Sequence, residues 1–284
     1  MRLPSAQSVV PPAISLPITS GLTMDLTLQR ELARLLATLR REGRQQSGLD
    51  ARLVPPDKHT AYRIAQMVAE ELGWPIAGWK IAAMKEEMQK ALRTDSPIYG
   101  RVFAPMVVAS PLSVVHAKLC SPIPEAEYVA RLGSDLPPRP QSYTVDEVTE
   151  AVGSLHPGLE LAECRFIHDA AFPALPAILA DGAGASTIVY GPPIDDWRSR
   201  EIAGQECVLL CNGKPRRTGS AASAIDNPMV PLTWLANELS RTSIGLQAGQ
   251  MISTGTLTGM LAPKPGETYV ADFGPFGSVT VSFT

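Results

Sequence analysis

The stretch SPIPEAEYVARLGSDL, residues 121–136, sets Glu125 and Glu127 one residue apart in otherwise apolar surroundings. Alternate side chains of a β-strand point to the same face, so a strand here holds both carboxylates side by side. Two like charges that close repel each other unless water, a cationic side chain or a metal ion lies between them. A third acid, Glu160, stands in GLELAECRF, residues 158–166, where an unpaired carboxylate is costly to bury. Three carboxylates suit a hard divalent cation such as Mg2+ or Mn2+ and leave coordination positions for water or a chelating substrate. Glu163 competes for the third place, but strand alternation turns it to the opposite face. An E-x-E on the wet face of an antiparallel strand needs no ion, and the spacing alone leaves both readings open.

The elements that must position these acids are legible as periodic segments. From Asp25, leucines 28, 32, 35, 36 and 39 recur at helical spacing, and Gly43 follows Arg40 and Arg41 as a stop. Residues 57–73 form a second amphipathic helix closed by Gly73, and 85–93 a short third one. IAGWKIA (76–82) reads as a buried strand, and YGRVFAP and LSVVHAKL as further strands. Thr144 and Glu147 make a capping box for a helix running to about Leu155. Strands are expected at STIVYG, ECVLLCNGK and QMIST, with a terminal hairpin turning at Gly274–Gly277 and a helix over 227–240. Strands dominate the second half without regular βαβ alternation, which points to an α+β fold.

Bulk composition narrows the function. The chain has 284 residues, 45% of them hydrophobic and 19% charged, enough for one large core or a core with an appendage. A net charge of −3 gives no electrostatic reason to expect nucleic acid or an anionic membrane. No apolar run approaches the roughly 20 residues of a spanning helix. Cys120, Cys164, Cys207 and Cys211 lack a C-x-x-C pair and read as isolated buried thiols, in keeping with a reducing cytoplasm. Residues 1–23 are rich in Pro and Ser, without the apolar core of a signal peptide. They read as a disordered extension, or as sequence ahead of a working start at Met24.

In order and spacing, the segments GWKIA, SPIYGRVF, PEAEYVARLGSDLP, PGLELAECR, LADGAGAS, NGKPRRTG, NPMVPLTWLANEL and AGQMISTGTLTG resemble the fumarylacetoacetate hydrolase superfamily. Within it, the likeness is to the 2-oxopent-4-enoate hydratases and the 4-oxalocrotonate decarboxylases, and it runs from about Asp25 to Thr284. The resemblance implies a mixed β-roll or barrel flanked by helices, with an N-terminal helical and strand region over 24–110 and a catalytic domain over 111–284. It maps the metal ligands onto Glu125, Glu127 and Glu160, catalytic roles onto Lys80 and Asp181, and substrate contacts onto Thr254, Gly255 and Ser186. Taken without it, Lys80 is a strand lysine with its amine reaching for water, and Asp181 an ordinary turn residue. His59, ahead of its helix, reads as a surface residue.

The implied function is a metal-dependent hydratase that adds water to a 2-hydroxy-2,4-dienoate in aromatic catabolism. It takes a small 2-oxo acid as substrate, Mg2+ or Mn2+ as cofactor, and further copies of itself as partners. The chain departs from the family pattern at Met84, where a small polar residue is usual, at Ile98, where an aspartate is usual, and at Gly182 in place of an asparagine. These departures keep two alternatives in view: a 4-oxalocrotonate-type decarboxylase, and a non-catalytic partner subunit of the same fold.

Overall fold

The computed structural model describes residues 24–284; the extension read over residues 1–23 lies outside the described residues. Helices α1 (Leu26–Glu42) and α2 (Lys58–Leu72) open the chain. The Asp25 carboxylate accepts the Thr27 N–H to start α1, and the Asp57 carboxylate accepts the Thr60 N–H to start α2. Each helix stops at a glycine in the left-handed region, Gly43 and Gly73. α1 buries Leu32, Leu36 and Ala37 in the cluster to which α2 contributes Ile64, Val68 and Leu72. Full burial of each such Leu or Ile stabilises by about 1.5–3 kcal/mol, so the apolar stripes hold this pair together.

The chain continues through β1 (Ile76–Ala82), α3 (Glu86–Leu92), β2 (Ile98–Phe103), β3 (Val107–Ala109), β4 (Leu112–Val114) and β5 (Ile123–Leu132). Next come α4 (Val145–Ala151), β6 (Val152–Ala162), α5 (Leu175–Ala180), β7 (Thr187–Tyr190), β8 (Glu206–Cys211) and β9 (Lys214–Ser220). The last elements are α6 (Ala221–Ala224), α7 (Met229–Arg241), β10 (Met251–Ser253), β11 (Thr268–Asp272) and β12 (Ser278–Phe283).

The strands make two sheets, ordered β2-β1-β10-β5-β6-β7-β3 and β4-β12-β11-β8-β9. β1–β10, β3–β7 and β4–β12 pair in parallel and the other neighbours antiparallel, so both sheets are mixed and the expected α+β class holds. One core joins the sheets: Tyr128, Leu155 and Leu159 of the larger pack in the cluster that holds Ala271, Val279 and Val281 of the smaller. Strands from both sides of residue 110 share the larger sheet, with β1 beside β10 and β10 beside β5. The approach of β1 to β10 depends on Gly78, where a Cβ would sit 2.0 Å from the Met251 carbonyl oxygen.

Several boundaries differ from the sequence reading. The capping box of Thr144 and Glu147 forms, but α4 ends at Ala151. Val152 and Leu155 pair with Leu132 and Ala130 of β5, and both are buried there, so strand pairing overrides the helical run. LSVVHAKL is a strand only over Leu112–Val114 before a 3-10 turn at His116–Lys118. β9 and α5 escape a pattern search because β9 is mostly exposed and basic, without apolar alternation, and α5 has fewer than two turns. α7 turns Leu232 and Leu235 into its own core, and Trp234 lies 6.2 Å from the Tyr99 ring, so this apolar face is largely satisfied within the subunit.

Candidate metal centre and active-site cavity

β5 and β6 carry the three carboxylates. In their antiparallel register Glu125 is directly opposite Glu160, and Glu127 is opposite Gly158. Glu125 and Glu127 share a face, as their spacing requires, and all three side chains are buried. One carboxylate oxygen from each lies within 4.8 Å of the other two. Glu127 Oε2 is held by the Ser253 hydroxyl and by the Gly255 N–H at 2.7 Å. Gly255 has φ of 110°, which glycine adopts readily, so the backbone after β10 can bend its N–H towards Glu127.

Glu160 has neither oxygen hydrogen-bonded. Its one close cation is Lys80 Nζ, 4.0 Å from Oε1. Lys80 lies on β1 in register with Ser253 of β10, so the lysine, the serine and the acids come from four consecutive strands. Burial, then the charge of Glu160, raises the Glu125 carboxyl to about 7, against a smaller pull from Lys80. Glu127 is raised well above the carboxylate range by burial, then by Glu160 and Glu125, despite its two donors. Burial raises Glu160 as well, with Lys80 and then the neighbouring Glu127 carboxyl opposing. The three buried carboxylates, with both Glu160 oxygens unpartnered and one lysine beside them, form a ligand set that fits a divalent cation and is only partly compensated by the protein.

Glu125 and Glu127 open on a cavity of about 970 Å3, lined also by Lys80 and Gly255, whereas Glu160 is not part of its lining. Met84 and Ile98, two of the positions that depart from the family pattern, are in its wall; Gly182 is not. Glu163 lines it too, contrary to the strand alternation expected of it: β6 ends at Ala162, and beyond that point the alternation no longer applies. Its Oε1 accepts the Cys120 N–H and its Oε2 the Ser186 hydroxyl. Cys164 also lines the cavity, but burial pushes its thiol up to about 12, which leaves it unreactive.

Three residues expected at the site stand behind the wall instead. Asp181 is buried among arginines, with its Oδ2 accepting the Arg165 N–H at 2.8 Å and Nε–H at 3.3 Å, and its Oδ1 3.5 Å from Arg40 Nη2. Arg40 also donates to the carbonyls of Asp181 and Ala185 at 2.6 and 2.9 Å. This cluster ties α1 to the turn after α5, and that turn passes close to Lys80: a Cβ on Gly184 would lie 3.9 Å from its Nζ. The Thr254 hydroxyl donates to the Tyr128 carbonyl at 2.9 Å, and Ser186 reaches the cavity only through Glu163. The partners of Asp181 carried no local signal, since Arg40 and Arg165 are distant in sequence and each reads as a surface charge. His59 is exposed on α2, as expected, and all four cysteines are buried and unpaired. Among the described residues no helix is long and apolar enough to cross a membrane.

Residues 81–284 match the family described as fumarylacetoacetate (FAA) hydrolase C-terminal. The chain is 32% identical over 216 residues to a 2-keto-4-pentenoate hydratase of Paraburkholderia xenovorans, covering 75% of this chain and 77% of that one. It is 28% identical over 218 residues to a 2-oxo-hept-4-ene-1,7-dioate hydratase of Escherichia coli, covering 74% and 80%. In three dimensions it superposes on the 4-oxalocrotonate decarboxylase from Pseudomonas putida G7, complexed with magnesium and adipate. The TM-score is 0.84 at 20% identity, covering 92% of this chain and 99% of that one, a likeness of fold.

Proposed function

The chain belongs to the fumarylacetoacetate hydrolase family, and from that premise we propose that it is a hydro-lyase that uses Mg2+ or Mn2+ to add water to a 2-hydroxy-2,4-dienoate in the breakdown of aromatic compounds. The names of its relatives support hydration. The observation that carries the reading is Glu160, a buried carboxylate with no donor, facing Glu125 of the cavity lining across the strand pair.

Glu125, Glu127 and Glu160 would hold the cation, which when bound supplies a Lewis acid for a 2-oxo acid to chelate through one carboxylate oxygen and its keto oxygen. Ser253 and Gly255 fix the orientation of Glu127. Lys80 is the proton carrier: its amine lines the cavity 4.0 Å from Glu160, where it can deliver a proton to carbon 5 as the 2-hydroxyl gives one up. Water oxygen then bonds to carbon 4 and a proton goes to carbon 3, so one water is added in all. Glu163, anchored by Cys120 and Ser186, supports the wall beside this path.

A panel of 2-hydroxy-2,4-dienoates with Mg2+ or Mn2+, following dienol absorbance and CO2 release, tests this reading. Loss of dienol without CO2 is expected. Release of CO2 from 2-oxohex-3-enedioate with no hydration of any dienol would put decarboxylation in its place. That second reading is favoured by Ile98, which puts a methyl-bearing wall where a water-holding acid was expected. Self-association, which the family resemblance implies, is open to sedimentation; a monomer at micromolar concentration would remove it.

A further inference from the structure

We propose, building on the hydratase reading, that the cavity selects 2-oxo acids whose far end is an uncharged alkyl or aryl group rather than a second carboxylate. Met84, Ile98 and the rim residues Met88, Phe172 and Met260 set this choice.

The buried charges in the lining are already committed. Lys80, Glu125 and Glu127 belong to the acid-binding end, and both oxygens of Glu163 are taken by Cys120 and Ser186. Among the described residues, Lys80 is the only buried cation in the lining. Besides the acids, Lys80 and Cys164, the buried side chains of the lining are apolar: Ala83, Ile98, Ala183, Ile225 and Leu257. A carboxylate placed against them would lose its water without gaining a partner.

The rim carries the same signature. Met88, Phe172 and Met260 line the cavity mouth at 40%, 37% and 57% exposure, large apolar side chains left in water. Such a cluster at the edge of a cleft marks a surface waiting for an apolar group, and two flexible thioethers let it adapt to more than one shape. Size agrees: about 970 Å3 is far more than a five-carbon acid fills, and lies at the upper end of the roughly 300–1,000 Å3 of small-molecule sites. Lys85, Arg93 and His168 also line the mouth, but all three are exposed. Water and salt screen a contact made there, so a distal carboxylate gains little from it.

The test needs no turnover. Titration calorimetry on the Mg2+-loaded chain compares three unreactive probes: 2-oxopentanoate, 2-oxo-5-phenylpentanoate and 2-oxohexanedioate. Each buried methylene tightens binding about fourfold, so the phenyl probe is expected to bind at least about tenfold tighter than 2-oxopentanoate, with the diacid no tighter than it. Met88→Lys, at an exposed position where folding is not at stake, is expected to cut the phenyl preference at least about threefold, because an apolar contact is lost while the new charge stays screened by water. A diacid preference in the parent chain, or a phenyl preference of unchanged size in Met88→Lys, overturns the proposal. The phenyl preference in a chain that hydrates no dienol would sink the hydratase reading and leave this one standing; hydration with a diacid preference would do the reverse.

Discussion

Glu125 and Glu160 stand directly opposite each other in the antiparallel β5–β6 pair, both buried, with Lys80 4.0 Å from Glu160 and no donor on either Glu160 oxygen. Like charges in directly opposed positions weaken a sheet, and burial makes the repulsion stronger. The pair is therefore a local instability at the centre of the larger sheet, of the kind that persists where a site must be ready for a cation.

Removing one of these charges should separate stability from binding. Glu160→Gln is expected to stabilise the cation-free protein by about 1–2 kcal/mol, since the shape is kept and a buried like charge is lost. The same change should weaken Mg2+ binding at least about tenfold, as should Glu127→Gln. Thermal melts with and without Mg2+, together with calorimetry, measure both effects. Unchanged cation affinity in both variants would remove the metal assignment.

The acids also set a pH dependence with a definite sign. A carboxyl raised in the folded state binds its proton more tightly there than in the unfolded chain. The folded state is then favoured at low pH, and stability falls as pH climbs from the unfolded value near 4.5 through the folded one, about 7 for Glu125. The melting temperature of the cation-free protein should fall between about pH 5 and 8, while saturating Mg2+ should flatten or reverse the trend. A melting temperature that rises over this window without the cation would contradict the raised carboxyls.

Lys80→Met should separate proton transfer from assembly of the site. Turnover is expected to drop by about 10²–10⁴, the usual range for a positioned acid–base group. Cation affinity should hold or tighten, because a positive charge beside Glu160 has gone. Equal losses of turnover and cation affinity would mean that Lys80 shapes the centre and does not carry the proton.

Asp181→Ala should act on stability. It leaves Arg40 and Arg165 buried without their shared carboxylate, a break that costs roughly 3–5 kcal/mol. A melting temperature lowered by several degrees, with the KM of the remaining folded enzyme little changed, is the expected result. A normal melting temperature with a collapsed kcat would return Asp181 to the chemistry.

Much of the local structure was legible because local rules govern it. The leucine spacing of α1, the Asp25 and Asp57 caps and the glycine stops define the helices from within a few residues. The E-x-E spacing likewise placed Glu125 and Glu127 on one face wherever the strand came to lie. Failures came where a long-range partner decided the outcome. Val152–Leu155 left its helix because β5 offered a strand to pair with, and Glu163 joined the cavity because β6 had already ended.

The sequence by itself determined which side chains share a face, where α1 and α2 begin and end, and that three acids were available for one centre. Only the tertiary structure decided that Glu160 faces Glu125, that β1 and β10 bring Lys80 to the same centre, and that Asp181 turns away to Arg40 and Arg165. Periodicity sets the direction of a side chain relative to its own backbone. What lies in that direction depends on strand order, register and the close approach allowed at Gly78, contacts between segments far apart in the chain.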